Sequence, residues 1–302
     1  MGSPAKTVVI LSHSESFYST RRLMEACAAQ GLVATRVDPV AASLEPRRGG
    51  TGLRVDGREL ETPDLLIPRV GARLTGWGMA LVQALVDAGA TSAASAAAIG
   101  QAQDKLATTQ RLVAAGVPTV PTLAIREPVH ADQALDTIGG APVVVKLREG
   151  SGGEQVHLAR DSASAKALLE RLTAQHATVL VQPFIEAKPA RDLRVLIIGG
   201  QAIAACWRYA SDGEFRANVH RGGRVECATL TDEVREVAQA AARALSLPVC
   251  GVDLMPHPAG FPVLEVNASP GLQGIEAATG RDLAGQLVAW LRSVRRDAPP
   301  LD

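Results

Sequence analysis

This sequence predicts an α/β fold, α+β in part: a parallel α/β domain first, a second α/β unit, and a mainly antiparallel third unit. Three observations lead there. The chain opens on an apolar run, a polar loop, a helix and another apolar run within residues 7–37, the spacing of a parallel strand–helix–strand unit. Strands and helices go on alternating through the middle of the chain, whereas the last third contains apolar runs joined by tight turns, the pattern of antiparallel pairing. With 302 residues, the chain exceeds what one hydrophobic core ordinarily organises, so two or three packed units are expected.

In the first unit, residues 7–11 are a strand that ends in the polar loop 12–16. A helix follows from about Thr20, with Leu23, Ala26 and Cys27 on its apolar face and Gly31 as its stop signal. Residues 32–37 are the next strand, and the glycine- and arginine-rich stretch 49–57 is a short hairpin. Residues 64–68 form another strand, closed by the loop Pro68-Arg69-Val70-Gly71. Ligand-contacting residues collect at that end of open parallel sheets, which makes Arg69 and Arg73 candidates for substrate contact; His13, on the loop after the first strand, reads as a surface histidine, with substrate contact as the alternative. An amphipathic helix over 76–89 and the alanine-rich segment 91–99 lead to a boundary near residue 104.

The helix 105–115 beyond it ends at Gly116-Val117-Pro118, a C-cap glycine followed by proline. The second unit continues with strand 122–125, helix 131–138, strand 142–147, a glycine-rich loop, strand 155–159, helix 162–173 and strand 178–183. The third contains strand 194–198, a turn at Gly199-Gly200, strand 201–208 and the long polar loop 212–223. Helix 232–245, strands 251–255 and 262–267, and a last helix over 282–294 complete it.

Composition excludes several function classes. Basic and acidic residues number 31 each, for a formal net charge of zero, so nothing draws the whole molecule to nucleic acid or an anionic membrane. Only 3% of residues are aromatic, which argues against a base-stacking platform. The four cysteines include no CxxC pair, the pattern of reduced, mostly buried thiols rather than a disulfide framework or zinc site. No run is long and apolar enough for a membrane span or a signal peptide, so a cytoplasmic protein is expected.

Three constellations carry chemistry. Gly251-Val252-Asp253-Leu254-Met255 and Pro262-Val263-Leu264-Glu265-Val266-Asn267 flank a turn at Pro258-Ala259-Gly260. An antiparallel hairpin centred near Ala259 places Asp253 opposite Glu265, with Glu265 and Asn267 on one face. Two opposed carboxylates in an apolar hairpin destabilise it unless a cation lies between them, and Asp, Glu and Asn oxygens are what Mg²⁺ uses beside nucleotide phosphates. The plainer alternative is a solvent-facing polar stripe. Second, Lys146 ends the run Val143-Val144-Val145 and precedes Glu149-Gly150-Ser151-Gly152-Gly153; a strand lysine and backbone N–H groups suit phosphate oxygens. The loop fits neither the Walker A nor the dinucleotide glycine spacing, and a simple turn is its alternative. Third, Arg191, Arg194, Arg208, Arg216, Arg221 and Arg224 are interleaved with Asn218, His220 and glycines. Arginine forks suit phosphate and carboxylate, against a solvated charged loop. No catalytic Ser, Cys or His is assigned, because no nucleophile–base pair stands out.

These residues carry a family likeness. Lys105, the Val143-to-Lys146 run and its glycine loop, Leu180-Val181-Gln182-Pro183-Phe184-Ile185, Asp192-Leu193-Arg194, Phe215-Arg216-Ala217-Asn218, His220-Arg221-Gly222-Gly223, Gly251-Val252-Asp253 and Glu265-Val266-Asn267-Ala268-Ser269-Pro270-Gly271 resemble the ATP-grasp superfamily and, within it, the RimK branch of glutamate ligases. The likeness spans nearly the whole chain, including Ser16 to Leu23 and Pro68 to Gly71.

The resemblance implies an ATP-grasp fold: a Rossmann-like parallel α/β domain over 1–104, a lid subdomain over 105–183 and a subdomain with the metal site over 184–302, the last two clamping ATP. By the same likeness Lys105 and Lys146 contact phosphates, Gln182, Pro183 and Phe184 form the hinge that reads adenine through its backbone, and Glu186 holds the ribose. Asp192, Arg216 and Asn218 match nucleotide contacts, and Asp253, Glu265 and Asn267 match the ligands of two Mg²⁺ ions, for which Mn²⁺ substitutes. Arg208, Arg216 and Arg221 are the expected catalytic arginines. The chain departs from the pattern at Pro183, where Glu is common, and at Glu154-Gln155, where a further glycine is common.

The activity implied is ADP-forming ligation of L-glutamate, through an acyl phosphate, to the C-terminal carboxylate of small-subunit ribosomal protein six or of a poly-glutamate chain. Arg69 and its neighbours are expected to help bind that acceptor. Other acceptors (an amino-group carrier protein, a cofactor tail, a peptide natural product) and a non-catalytic ATP-binding regulator are the alternatives. No nucleic-acid or membrane partner is expected, and a homo-oligomer, dimer or tetramer, is.

Overall fold

The protein is described from a computed structural model that covers residues 5–71, 74–149, 155–211, 214–215 and 223–294. The first unit is a parallel sheet in which β1 (Thr7–Leu11) lies between β2 (Val33–Val37) and β6 (Leu65–Pro68), with the short β7 (Thr91–Ser92) beyond β6. Helices α1 (Tyr18–Ala29), α2 (Thr75–Asp87) and α3 (Ala96–Gln103) accompany it. The hairpin expected over 49–57 is part of a larger element. It is a three-stranded meander of β3 (Ala42–Arg47), β4 (Gly50–Val55) and β5 (Arg58–Glu59). Asp56 and Gly57 both have positive φ, 49° and 78°, the conformation that tight two-residue hairpin turns require. The first strand hid in the sequence because Pro46 and the charged Glu45 and Arg47 weaken the apolar alternation.

Asp104 closes α3 and opens α4 (Lys105–Ala114), its side chain accepting from the Leu106 and Ala107 N–H groups. Such a cap satisfies donors that the first turn leaves unpaired. The second unit's sheet is wholly antiparallel, in the order β10 (Val156–Ala159), β9 (Val143–Leu147), β11 (Val179–Pro183), β8 (Leu123–Ile125). Val143, Val145, Val179 and Val181 point into its own small core with α5 (Ala131–Ile138) and α6 (Ser162–Thr173). Strand alternation therefore turns Val144, Lys146 and Gln182 to the opposite face.

The third unit is a five-stranded antiparallel sheet. Its order is β14 (Arg224–Cys227), β13 (Gln201–Tyr209), β12 (Arg191–Ile198), β15 (Val249–Leu254) and β16 (Val263–Asn267). Helix α7 (Asp232–Ala244) is capped by Thr231, which accepts from Val234 N–H, and carries acids at 232 and 233 in its first turn, where the helix dipole favours them. Two short C-terminal helices follow, α8 (Gln273–Thr279) and α9 (Leu283–Ser293). The sequence reading anticipated neither β14 nor α8, because four and seven residues are too few to develop a periodicity.

The first and third units share their cores. Val9 and Leu11 of β1 join Leu193, Val195 and Ile197 of β12 and the α7 residues Val234 and Ala238 in one cluster. Val8 and Ile10 join Leu196, Ile198 and the α9 residues Leu287 and Leu291 in another. The two-residue period of each strand thus feeds a core on each side. Among the described residues no helix is long and apolar enough to cross a membrane.

Candidate active site

The antiparallel register of the third sheet builds one wall of a cleft. Asp253 lies opposite Glu265 and Gly251 opposite Asn267 on β15 and β16, the pairing that the hairpin predicts. On the other flank of β15, Asp253 pairs with Arg194 of β12, Asp192 pairs with Arg208 of β13, and Arg194 pairs with Cys206. Residues two apart share a face, so acids, arginines and the amide all line the same cavity of about 450 Å³, a size suited to a small-molecule ligand.

The charges on this wall neutralise one another. Arg194 grips Asp253 with two parallel bonds, Nε to Oδ1 at 2.7 Å and Nη2 to Oδ2 at 2.6 Å. Arg208 grips Asp192 the same way at 2.6 and 2.7 Å and reaches Asp253 Oδ2 at 2.9 Å. The Asn267 amide donates to Asp253 Oδ2 at 3.3 Å. Burial opposes the charge of Asp253, yet the Arg194 and Arg208 guanidiniums outweigh it and hold the carboxyl below the usual range. Burial wins at Asp192, whose pKa is raised despite Arg208. Arg208 is buried too, but the two carboxylates hold it firmly protonated. Gly251 lies beside this network. A Cβ there would meet Pro270 Cβ at 3.1 Å, a tight contact, and Arg194 Nε at 3.5 Å, an ordinary one, so the glycine chiefly accommodates the Pro270 loop beside the guanidinium.

The facing wall comes from the second unit. Lys146 projects from β9 and Lys105 stands at the start of α4, both lining the cavity. Burial, with Lys105 beside it, lowers the pKa of Lys146, while Glu265 and Asp253 across the cleft pull it up. A clamp orders the pair of lysines. Arg148, just past β9, donates through Nε to Asp104 at 2.8 Å and through Nη2 at 2.5 Å, and the Lys105 N–H donates to the Arg148 carbonyl at 3.0 Å.

At the hinge, Gln182, Pro183 and Phe184 line the cavity, but their backbone is engaged. Gln182 sits in the β9 ladder opposite Val144, Pro183 has no N–H, and the Phe184 N–H donates to Pro142 O at 3.0 Å. The first N–H of this stretch without a partner among the described residues belongs to Ile185, which also lines the cavity. Phe184 and Phe215 meet edge to face, with centroids 6.3 Å apart. With Met255 and Leu264 they supply the apolar end of the cavity.

Ten expected residues thus converge on one cavity: Lys105, Lys146, Gln182, Pro183, Phe184, Asp192, Arg208, Asp253, Glu265 and Asn267. Glu186 does not join them; it is exposed and pairs with Lys188 at 3.2 Å. Arg73, Gly150 to Gly153, Glu154, Arg216, Asn218, His220 and Arg221 lie outside the described residues. Arg191 and Arg194, from the arginine cluster read in the sequence, join the same lining, whereas sequence reasoning missed Ile185, Phe215, Met255 and Leu264 as walls. Arg69 is held at the junction of the first and third units, donating to Pro270 O at 2.9 Å, beside the Ser269 hydroxyl, which donates to Pro68 O at 3.2 Å. Burial pulls its guanidinium down to about 10. His13 is exposed and bonds Asp38 at 3.2 Å.

The donor set suits a hard divalent cation. Among the described residues no three His, Cys, Asp or Glu side chains form a metal cage, but two carboxylates and an amide oxygen on neighbouring strands leave room for phosphate oxygens, the Mg²⁺ pattern. Asp253 Oδ2 already accepts from Arg194, Arg208 and Asn267, whereas among the described residues Oδ1 accepts from Arg194 alone and keeps a lone pair for a cation.

Comparison with known proteins agrees with this geometry. Residues 102–291 match the model of the RimK-like ATP-grasp domain, and residues 7–99 match that of the RimK PreATP-grasp domain. A probable alpha-L-glutamate ligase of Teredinibacter turnerae is 39% identical over 96% of both chains. The ribosomal protein bS6–L-glutamate ligase of Escherichia fergusonii is 37% identical over 97% of both. Among solved structures, the ATP-grasp ligase PsnB complexed with a minimal precursor superposes with a TM-score of 0.75 at 22% identity, over 96% of this chain and 99% of that one. A RimK domain ATP-grasp protein from Sphaerobacter thermophilus matches equally well, TM-score 0.75 at 22% identity, over 94% and 98%. The fold is ATP-grasp, and the chain belongs to the RimK-like ATP-grasp family.

Proposed function

We propose that this protein is an ATP-dependent acid–amino-acid ligase that joins L-glutamate to the C-terminal carboxylate of a ribosomal protein, small-subunit protein six, or of a growing glutamate chain, releasing ADP and phosphate. The observation that carries the reading is the convergence of Lys105 and Lys146 on one wall with Asp253, Glu265 and Asn267 on the other. Relatives at 37–39% identity bear the names of glutamate ligases, which supports the choice of amino acid and acceptor.

Each part of the site has a task in this reading. The apolar end around Phe184, Phe215, Met255 and Leu264 takes adenine, and Ile185 N–H is the backbone donor that reads it. The lysines offset the charge of the β- and γ-phosphates as the acceptor carboxylate attacks the γ-phosphorus. Asp253, Glu265 and Asn267 would hold Mg²⁺, two ions being the proposed number and Mn²⁺ a substitute; bound there, the metal neutralises phosphate charge. Arg208, fixed by its two carboxylates, presents a guanidinium to the oxyanion formed when glutamate's amine attacks the acyl phosphate; Arg216 and Arg221 are proposed for the same role. Arg69 is proposed to meet the acceptor's carboxylate. The units 105–183 and 184–302 close on ATP and exclude water from the acyl phosphate. A cytoplasmic homo-oligomer, dimer or tetramer, completes the proposal.

The test is incubation with ATP, Mg²⁺, L-glutamate and the ribosomal protein, read by intact mass and by nucleotide products. A ladder spaced by one glutamyl residue, with ADP and phosphate, is expected. Release of AMP and pyrophosphate would overturn the acyl-phosphate mechanism, and a ladder with another amino acid would overturn the glutamate assignment.

A further inference from the structure

Among the described residues strand β14 is the edge of the five-stranded sheet and pairs only with β13. In that ladder Cys206 lies directly opposite Cys227. The Ala228 N–H donates to Ala205 O at 3.1 Å. In an antiparallel pair, a bond from the residue after Cys227 to the one before Cys206 marks Cys206 and Cys227 as a non-hydrogen-bonded pair. There the Cα atoms stand about 4.5 Å apart and the two side chains leave the sheet on the same face. Disulfides span Cα separations of roughly 4.4–6.8 Å, so the backbone already meets the main geometric condition. Cys27 and Cys250 are buried, and no cysteine lies opposite Cys250 in its ladder.

The two thiols differ in access. Cys227 is exposed and open to a dissolved oxidant. Cys206 is 1% exposed and lines the cavity, opposite Arg194 and two residues from Arg208 on the same face. Burial pushes its thiol up to about 11, which leaves first attack to Cys227.

We propose that Cys206 and Cys227 are a redox modification site, forming a reversible disulfide with hydrogen peroxide that suppresses turnover. The Cys227 thiolate attacks one peroxide oxygen, the O–O bond breaks, and the departing hydroxide takes up the thiol's proton as water, leaving a sulfenic acid. The Cys206 sulfur then attacks that sulfur; the S–O bond breaks, and the Cys206 proton leaves with the hydroxyl as a second water. Two thiols lose two electrons, one peroxide gains them, and a dithiol reductant reverses the change by exchange. The link draws the Cys206 sulfur toward the sheet edge, beside the arginines that hold Asp192 and Asp253. The effect on turnover rests on the cleft being the ATP site proposed above.

The experiment treats the full chain with hydrogen peroxide and follows non-reduced peptide mapping, ligase turnover and ADP affinity in parallel. A 206–227 cross-linked peptide is expected, with turnover lowered roughly tenfold and restored by dithiothreitol. Cys227→Ser should keep the basal turnover, form no link and resist peroxide. Cysteines 206 and 227 left unlinked, or linked to other cysteines, would overturn the site; a link that changes neither turnover nor ADP affinity would overturn the switch. If the reduced chain turns over no acceptor, the ligase reading fails by itself, while mapping and ADP affinity still decide the link.

Discussion

The two walls of the cleft hold their charges in opposite ways. On the wall of the third unit, Asp192, Arg194, Arg208 and Asp253 are buried or half-buried, bonded to one another and neutral as a set. On the wall of the second unit, Lys146 faces the cavity with the carboxylates of Glu265 and Asp253 acting on it only from across the gap. The packing beneath differs as well. The first wall stands on two cores shared with the first unit, whereas the sheet that carries Lys146 stands on a small core of its own with α5 and α6. Helix α4, which carries Lys105, is tied to the shared core through Leu112, and Val263 N–H donates to Pro118 O at 2.8 Å, so the two lysines are anchored to different bodies of packing. The ATP phosphates proposed to lie between the two walls would bring negative charge directly to Lys146.

The sharpest way to break this comparison is Glu265→Gln, which removes a cleft charge not bound up in the arginine network. Turnover should fall by about a hundredfold or more while thermal stability stays near the parent's; retained turnover would sink the metal assignment. Next in size, Arg208→Met leaves Asp192 and Asp253 short of a buried partner. Urea unfolding should show a loss of about 3–5 kcal/mol, and an unchanged midpoint would mean that the network does not lock the wall. The smallest effect is expected on the lysine side, at the Asp104–Arg148 clamp. Asp104→Ala removes a helix cap, at about 1 kcal/mol, and should raise KM for ATP more than it lowers kcat.

The clamp also makes a prediction about pH. Burial works against the Asp104 carboxylate, but Arg148 and the Ala107 and Leu106 N–H groups prevail and lower its pKa. A depressed carboxyl contributes stability that is fully present above its unfolded value, about 4, and is lost as pH falls through the folded value. Between roughly pH 5 and 3 the parent should therefore lose more stability than Asp104→Ala, measured as the difference in unfolding midpoints. Equal slopes would show that the Asp104 carboxyl is not held below its unfolded value by Arg148 and the cap N–H groups.

Much of the site was legible before the fold. Lys146 on its strand and the Asp253, Glu265, Asn267 set follow from alternation and ligand chemistry, and the register agrees. What failed did so for stated reasons. Glu186 lies beyond the strand end, where no periodicity orients a side chain, and it turns to solvent beside Lys188. Which hinge N–H groups are already engaged was not legible, because the acceptor for Phe184 N–H, the Pro142 carbonyl, lies forty-two positions earlier, and only strand pairing brings it near. The meander around β3 was hidden by charged and proline positions.

The sequence by itself determined what a single strand or hairpin decides: which faces are apolar, that Asp253 opposes Glu265, and that Lys146 leaves its core on the side of Val144. Those features follow from a backbone period of two and a tight turn, both local. Only the tertiary structure decided that Asp253 is gripped by Arg194 and Arg208, that Asp104 joins Arg148, and that the first and third units share their cores. Each of these joins strands or helices far apart in the chain, and no local pattern encodes which distant partner fills a given face.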